Sequence, residues 1–283
     1  MKSKVERYVG TGLYDLRHYT ASVVADFNLK KLHYDDSPCL VYFKHGSGEA
    51  KLEGRHYEIT EGTVFLVSPY ELHRFFIKEE EKHERFALYI REGLLSRFPE
   101  ADALLAPILG RKKGYGNLIF AHTVKEYGID QLFDEILQKA KCGTPKDDVL
   151  AACKIIELLD VLLEATKNGG QSAPVPHSGK MNEVLKYLDG AFLEEITVDT
   201  VAARFFISKY HLCRAFKEST GVSLWEYVIW RRLLHFNECV RCGMTIEDAC
   251  RASAFHNYSN FYRLYVKHFG MSPKEFATKT EHP

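Results

Sequence analysis

Nowhere in its 283 residues does the sequence hold an apolar run approaching the ~20 residues of a membrane-spanning helix. Its start, MKSKVERYVG, lacks the apolar core of a signal peptide. The expected compartment is therefore the cytoplasm, with no membrane partner. Neither sign of charge is in excess: 38 basic residues stand against 38 acidic ones, and from Lys180 onward 14 stand against 12. Net charge does not announce a nucleic-acid partner, so any basic surface has to come from placement. Seven cysteines at irregular spacing argue against a disulfide framework and fit a reducing compartment. Cys239 and Cys242 spell C-V-R-C without a second C-x-x-C pair, so both are expected to be packing residues of a helix. No Gly-rich phosphate loop and no Ser/His/Asp arrangement stands out. The expectation is a protein that is not an enzyme, with no catalytic residue, cofactor or metal assigned.

What is present is a globular composition, 46% hydrophobic and 13% aromatic, in a chain long enough for two cores. The stretch NGGQSAPVPHSG, 168–179, has almost nothing to bury and predicts a flexible linker between domains at 1–167 and 180–283. Ahead of it, from about Tyr14 to Ile90, the runs CLVYF, GTVFLV and RFALYI alternate with the turn signals HGSG, EGR and EG. Short strands so spaced suggest a small sandwich or barrel. From Asp130 to Lys167 the period becomes helical. One predicted stripe is Leu132, Phe133, Ile136 and Leu137; another, after GTPKDD, is Val149, Ala152, Cys153, Ile156, Leu159 and Leu163. Such seams either cover the barrel or dimerise with a second chain. After the linker everything reads as helix, with Val184, Leu185 and Leu188 on one face and Thr197 and Thr245 as N-caps.

An internal repeat carries the functional signal. LCRAFKESTGVS (Leu212 to Ser223) and FYRLYVKHFGMS (Phe261 to Ser272) align without gaps, matching Arg214 with Arg263, Phe216 with Tyr265, and the Gly-x-Ser endings. A short helix precedes each copy, with small Ala202 or Cys250 where two steeply crossing helices would touch. Ser208 or Asn257 then opens the second helix. This is the helix-turn-helix pattern, whose second helix enters the DNA major groove. Spacing of three and four places Leu212, Ala215 and Phe216, and Phe261, Leu264 and Tyr265, on the anchoring faces. The opposite faces carry Tyr210, Cys213, Arg214 and Lys217 in the first unit and Ser259, Asn260, Tyr262, Arg263 and Lys267 in the second, with Asn257 at its start. Between the units, SLWEYVIWRRLLHFNECV predicts one helix of about 16 to 18 residues, a rod of roughly 25 Å that could set two recognition helices on adjacent major-groove segments.

On these residues the region from about Met181 to Phe276 resembles the DNA-binding domain of the AraC/XylS family of bacterial transcription regulators. LCRAFKESTG and SNFYRLYVKHFGMSPKEF carry the resemblance. It implies two helix-turn-helix units on a connecting helix, with base and backbone contacts at Tyr210, Cys213, Arg214, Ser259, Asn260 and Arg263. The chain departs from the family in both turns: the position usually held by glycine is Phe206 in one and Ala254 in the other, which is strained if the backbone needs positive φ.

The segment FKHGSGEAKLEGRHYEITEGTVFLVSPYELHRF resembles the cupin-like sensor domain common in that family, with Pro69 and His73 in the closing P-x-x-x-H. The resemblance places His33, Asp35 and Cys39 where metal-binding cupins carry their opening ligands, and the later glutamate is missing. By alternation Cys39, Val41 and Phe43 share one side of a strand. His33, Asp35, Cys39, Phe43 and His73 are therefore the candidate effector-binding residues, in a barrel expected to hold a small molecule or to be filled. The fold expected is multi-domain α+β: an N-terminal cupin-like β-barrel with two trailing helices for sensing and dimerisation, and a C-terminal all-α DNA-binding domain. The function expected is a ligand-responsive transcription regulator, an activator of a metabolic operon with a sugar or related metabolite as effector. Its implied partners are double-stranded DNA, RNA polymerase and a second copy of the chain. The alternative is a cupin-type metalloenzyme fused to an autoregulatory DNA-binding domain.

Overall fold

Strand-forming residues at alternating spacing build the N-terminal half, and the alternation decides which core each side chain joins. The computed structural model describes residues 4–10, 12–21, 33–78, 82–96, 103–169, 171–172 and 180–281. The chain falls into two compact units, Met1–His177 and Ser178–Pro283. In the first, eight strands run β1 (Lys4–Gly10), β2 (Tyr14–Ala21), β3 (Cys39–His45), β4 (Gly48–Leu52), β5 (Arg55–Ile59), β6 (Thr63–Val67), β7 (His73–Ile77) and β8 (His83–Ile90). Three short helices and a strand follow: α1 (Glu92–Leu95), α2 (Ala106–Leu109), β9 (Leu118–Ile119) and α3 (Ala121–Glu126). The unit closes with α4 (Ile129–Cys142), α5 (Pro145–Lys167) and β10 (Gln171–Ser172).

The pairing is antiparallel throughout. One sheet has the order β1-β2-β8-β3-β6-β9-β10 and the other β5-β4-β7. Strands β3, β6 and β8 are buried on both faces, because each face of the large sheet meets a different partner. Leu40, Tyr42, Val64, Leu66, Phe86 and Leu88 join the helices α3, α4 and α5 in one cluster. Their neighbours Val41, Phe43, Phe65, Val67, Ala87 and Tyr89 join Ala50, Leu52, Tyr57, Ile59, Phe75 and Ile77 of the small sheet in another.

The α4 stripe is as expected: Leu132, Phe133, Ile136 and Leu137 are buried. The α5 stripe is not. Ala151, Ala152, Ile155, Leu158, Leu159, Leu162 and Ala165 face the core, whereas Val149 and Cys153 are exposed and Ile156 and Leu163 are half-buried. This helix is apolar on more than one side, so periodicity alone allowed two phases, and packing on α4 and the sheet selected the one led by small alanines. Part of the predicted linker also belongs to the first unit. Asn168 donates to the Tyr127 hydroxyl at 2.8 Å, and Gln171 and Ser172 pair with Ile119 and Leu118, supplying hydrogen bonds to an otherwise open strand edge. Residues 170 and 173–179 of that stretch lie outside the described residues.

The second unit is helical: α6 (Lys180–Ala191), α7 (Val198–Arg204), α8 (Lys209–Thr220), α9 (Leu224–Arg241), α10 (Ile246–Ala252), α11 (Tyr258–Phe269) and α12 (Pro273–Glu281). The 18-residue α9 is its spine, opened by a reciprocal capping box between Ser223 and Glu226. Ile229, Leu233, Phe236 and Val240 of α9 cluster with Ala249, Cys250, Phe255, Phe261, Tyr265 and Phe276. Cys239 joins that cluster, whereas Cys242 is exposed just past the helix end. The packing expectation therefore fails for Cys242, because its position falls where the chain leaves the core. At the other end, Tyr227 packs edge-on against Phe216 and donates to Asp189 at 2.6 Å.

Candidate nucleic-acid interface and ligand cavity

Both helix-turn-helix units are built from the same local devices. Thr197 caps α7 through a reciprocal box with Thr200. Thr245 caps α10 through the Asp248 N–H, but the Asp248 carboxylate accepts the Thr245 hydroxyl at 2.8 Å instead of reaching back to the backbone. Ser208 accepts from His211 N–H and Asn257 from Asn260 N–H, so each recognition helix starts with a side-chain cap. Each ends at a left-handed glycine, Gly221 at φ 78° and Gly270 at φ 69°.

The turns between the paired helices also match. Phe206 N–H meets Ala203 O while Ile207 N–H meets Ala202 O; Ala254 N–H meets Arg251 O while Phe255 N–H meets Cys250 O. This is the Schellman closure, which requires a left-handed residue. Phe206 and Ala254 supply it at φ 53° and 56°. Neither turn has been reshaped to suit its side chain, so the strain anticipated for a non-glycine residue is present twice.

Leu212, Phe216, Phe261 and Tyr265 are buried. The opposite faces of α8 and α11 therefore point outward: Tyr210, Cys213, Arg214, Lys217, Ser259, Asn260, Tyr262, Arg263 and Lys267 are all exposed. Arg214 is held by Glu218 at 2.8 Å one turn on. Arg263 meets the Asn260 side-chain oxygen at 3.4 Å, and Asn257, also exposed, uses its side-chain oxygen as the cap. Sequence reasoning missed Arg232. Buried in the middle of α9, it donates to the carbonyls of Phe192 at 2.8 Å, Glu194 at 2.9 Å and Ala254 at 3.2 Å. One guanidinium thus ties the loop before the first unit to the strained turn of the second.

In the N-terminal unit a cavity of 320 Å³ lies between the two sheets. Four expected residues line it: His33, Asp35, Cys39 and His73. Phe43 does not; it sits in the core with its ring 5.7 Å from Phe65 and 5.3 Å from Phe75. Val41 of β3 also lines the cavity. Arg17, Tyr19, Phe75, Arg85, Ala87 and Tyr89 complete the lining. They come from β2, β7 and β8, whose contribution could be read only once the register placed Tyr19 opposite Arg85 and Arg17 opposite Ala87. The two arginines stack on tyrosines, Arg17 over Tyr89 and Arg85 over Tyr19, each 4.4 Å from the ring centre.

His33, Asp35 and His73 bring one ligand atom each within 4.8 Å of one another. His33 is bridged to His73 through the backbone, N–H to O at 3.0 and 2.8 Å. The His73 Nδ1 is 2.8 Å from the Glu71 carbonyl, which fixes Nδ1 as the protonated nitrogen and leaves Nε2 as an acceptor, 3.5 Å from Asp35 Oδ2. Burial pushes the Asp35 carboxyl up and the His73 imidazole down, the latter helped by the positive charge of Arg85. The donor set is that of a cation site, and the charges nearest His73 act on a positive charge there in opposite senses, Glu71 favouring it and Arg85 opposing it.

Just outside the cavity, Glu71 is fully buried. It accepts from Ser68 N–H at 2.8 Å, Gly114 N–H at 2.6 Å, Asn117 at 3.0 Å and both terminal nitrogens of Arg111, at 2.9 and 2.5 Å. Despite its burial, these donors hold its carboxyl below the usual range. The network fixes the P-x-x-x-H segment and with it His73, and no periodicity in the sequence marked it.

Two known domain families match this chain, the AraC-like ligand binding domain over residues 25–159 and the helix-turn-helix domain over residues 201–279. Among characterised proteins, the HTH-type transcriptional activator RhaS of Citrobacter koseri is 24% identical over 246 residues, covering 86% of each chain, and that of Klebsiella pneumoniae is equally similar. Among solved structures, ToxT from Vibrio cholerae O395 is 14% identical, covers 100% of this chain and 98% of its own, and superposes with a TM-score of 0.40. The DNA-binding domain of AdpA, solved with a target DNA, is 20% identical and covers 36% of this chain and 93% of its own, with a TM-score of 0.34. With a ligand-binding domain of the AraC type ahead of a doubled helix-turn-helix, the chain belongs to the AraC/XylS family of DNA-binding transcription regulators.

Proposed function

We propose that the protein is a transcription activator that reads a two-block operator through α8 and α11 and responds to a small molecule held between the sheets of its N-terminal unit. The observation that carries this reading is the pair of capped recognition helices presenting Arg214 and Arg263 at matched positions, joined by one helix. Arginine is the side chain best shaped for a guanine edge or a phosphate. Activation is favoured because the curated relatives named above are transcriptional activators. The effector class that family resemblance suggests is a sugar or related metabolite, RNA polymerase is the implied partner at the promoter, and the cytoplasm is the expected compartment.

A homodimer is part of the reading. Val149, Cys153 and Leu163 lie on a second apolar side of α5, outside its buried face, while half-buried Ile156 packs against the core. Packing that second side against a second copy would bring two DNA-binding units to one operator. The metalloenzyme alternative rests on the convergence of His33, Asp35 and His73 and is weakened by the absence of the later glutamate that metal-binding cupins carry.

The test is selection of the full-length protein against a random DNA pool, repeated with an Arg214→Ala, Arg263→Ala double variant. Two enriched blocks about one helical turn apart, lost in the variant, are expected. An enriched single block indifferent to both arginines would refute the two-unit reading.

A further inference from the structure

Resting on the assignment of the cavity as the effector site, we infer that the effector is an anion: a small polyhydroxylated carboxylic acid whose carboxylate is received by Arg85. Buried charges elsewhere in the described residues have partners. Arg111 faces Glu71, Asp15 receives Arg7, Arg17 and Arg91, and Arg232 has three carbonyls. Arg85 is the exception in meeting neither an anionic group nor a carbonyl: its partner is Tyr19, through the hydroxyl and the ring. Arg85 is 7% exposed, lines the cavity, and has no carboxylate within ion-pair distance among the described residues. Among the described residues its Nε has no hydrogen-bond partner, as is also true of Arg17 and Arg111.

A guanidinium does not lose its proton in a protein, and an uncompensated one is costly to bury. The fold keeps it because the compensating charge arrives with the ligand. Arginine receives a carboxylate through two parallel hydrogen bonds, which selects a planar acid over a point-like ion. Asp35 Oδ2, also on the lining, is buried without a hydrogen-bond partner among the described residues and faces the acceptor nitrogen of His73 at 3.5 Å. A ligand hydroxyl beside the pair would donate to one of these two acceptors. A cavity of 320 Å³ lies at the small end of ligand sites and suits a six-carbon acid.

The full-length protein, in buffer free of carboxylate and phosphate, would be titrated with D-galacturonate, D-glucuronate and D-gluconate, each against its neutral counterpart D-galactose, D-glucose or sorbitol. Melting temperature and calorimetric affinity are read for the wild type, Arg85→Gln and Arg85→Met. At least one acid is expected to raise the melting temperature where its neutral counterpart does not, with roughly tenfold or greater loss of affinity in Arg85→Gln. Unliganded Arg85→Met should be at least as heat-stable as the wild type, because it removes a buried charge that pairs with no carboxylate among the described residues. A neutral sugar that binds as well as its acid and ignores Arg85→Gln would overturn the anion while keeping the sensor. If neither acids nor neutral sugars bind and Arg85→Met is less stable, the arginine is a packing element, and both the anion and the effector site fall. If neither binds but Arg85→Met is at least as stable, the polyhydroxy acid is overturned and the cavity remains a site for another ligand.

Discussion

Phe206 and Ala254 carry the sharpest residue-scale expectations, because each occupies a left-handed turn without the glycine that the turn favours. Phe206 is 91% exposed, so little packing offsets its strain. Phe206→Gly is expected to stabilise the second unit by about 1 kcal/mol, and Ala254→Gly by somewhat less, since glycine also enlarges the unfolded ensemble. Thermal unfolding would show this, and a drop in melting temperature for both would refute the strain. The exposed faces give a second contrast. Arg263→Ala should cost on the order of 1 to 3 kcal/mol of DNA binding and relax specificity at one base position. Lys217→Ala should weaken all sequences alike and reduce the salt dependence. A specificity profile unchanged in the first, or a loss confined to one site in the second, would reverse these roles.

At the scale of elements, α9 does more than separate the recognition helices, because Arg232 links it to the segments on both sides. Arg232→Met leaves the carbonyls of Phe192, Glu194 and Ala254 without their donor, and a loss on the order of 3 kcal/mol is expected. Its particular signature should lie in the operator: affinity for a site containing both blocks falls, tolerance to altered spacing widens, and affinity for a single block changes little. Equal losses on all three sites would mean that the arginine serves stability alone. The second apolar side of α5 gives the matching expectation for assembly. Val149→Asp should shift sedimentation from dimer to monomer while leaving the fold of the monomer intact, since Val149 is 52% exposed and the helix keeps its buried Ile155, Leu158 and Leu162. A dimer that survives would move the interface elsewhere.

For the molecule as a whole, buried histidines shape the response to pH. His83 is 1% exposed, and burial aided by the charge of Arg85 pulls its imidazole from 6.5 down to about 4; His73 is shifted in the same direction. The folded state thus refuses a proton that the unfolded chain accepts. Between pH 6.5 and about 4 the unfolded state binds more protons, so stability falls as pH falls through that window, by as much as about 3 kcal/mol from His83. Melting temperatures measured from pH 7 to 4.5 should decline, and less steeply in His83→Phe. An unaltered decline would place the titration on other groups. Asp35, whose carboxyl is raised by burial, works in the opposite sense below its own folded value.

Local rules wrote much of this protein into its sequence. The doubled recognition unit, its caps at Thr197, Ser208, Thr245 and Asn257, and the 18-residue rod between the copies follow from side-chain chemistry within three or four positions. The strand-rich first half and the anchoring faces Leu212–Phe216 and Phe261–Tyr265 follow from period. Only tertiary structure decided which side of α5 is inner, because a helix apolar on two sides has no phase of its own. Only strand register could bring Arg17, Tyr19, Arg85 and Tyr89, some 70 residues apart, to the cavity that holds His33, Asp35 and His73. The same holds for Glu71 with Arg111 and for Arg232 with its three carbonyls. Burying a charge depends on partners contributed by distant segments, and those segments meet only when the chain has folded.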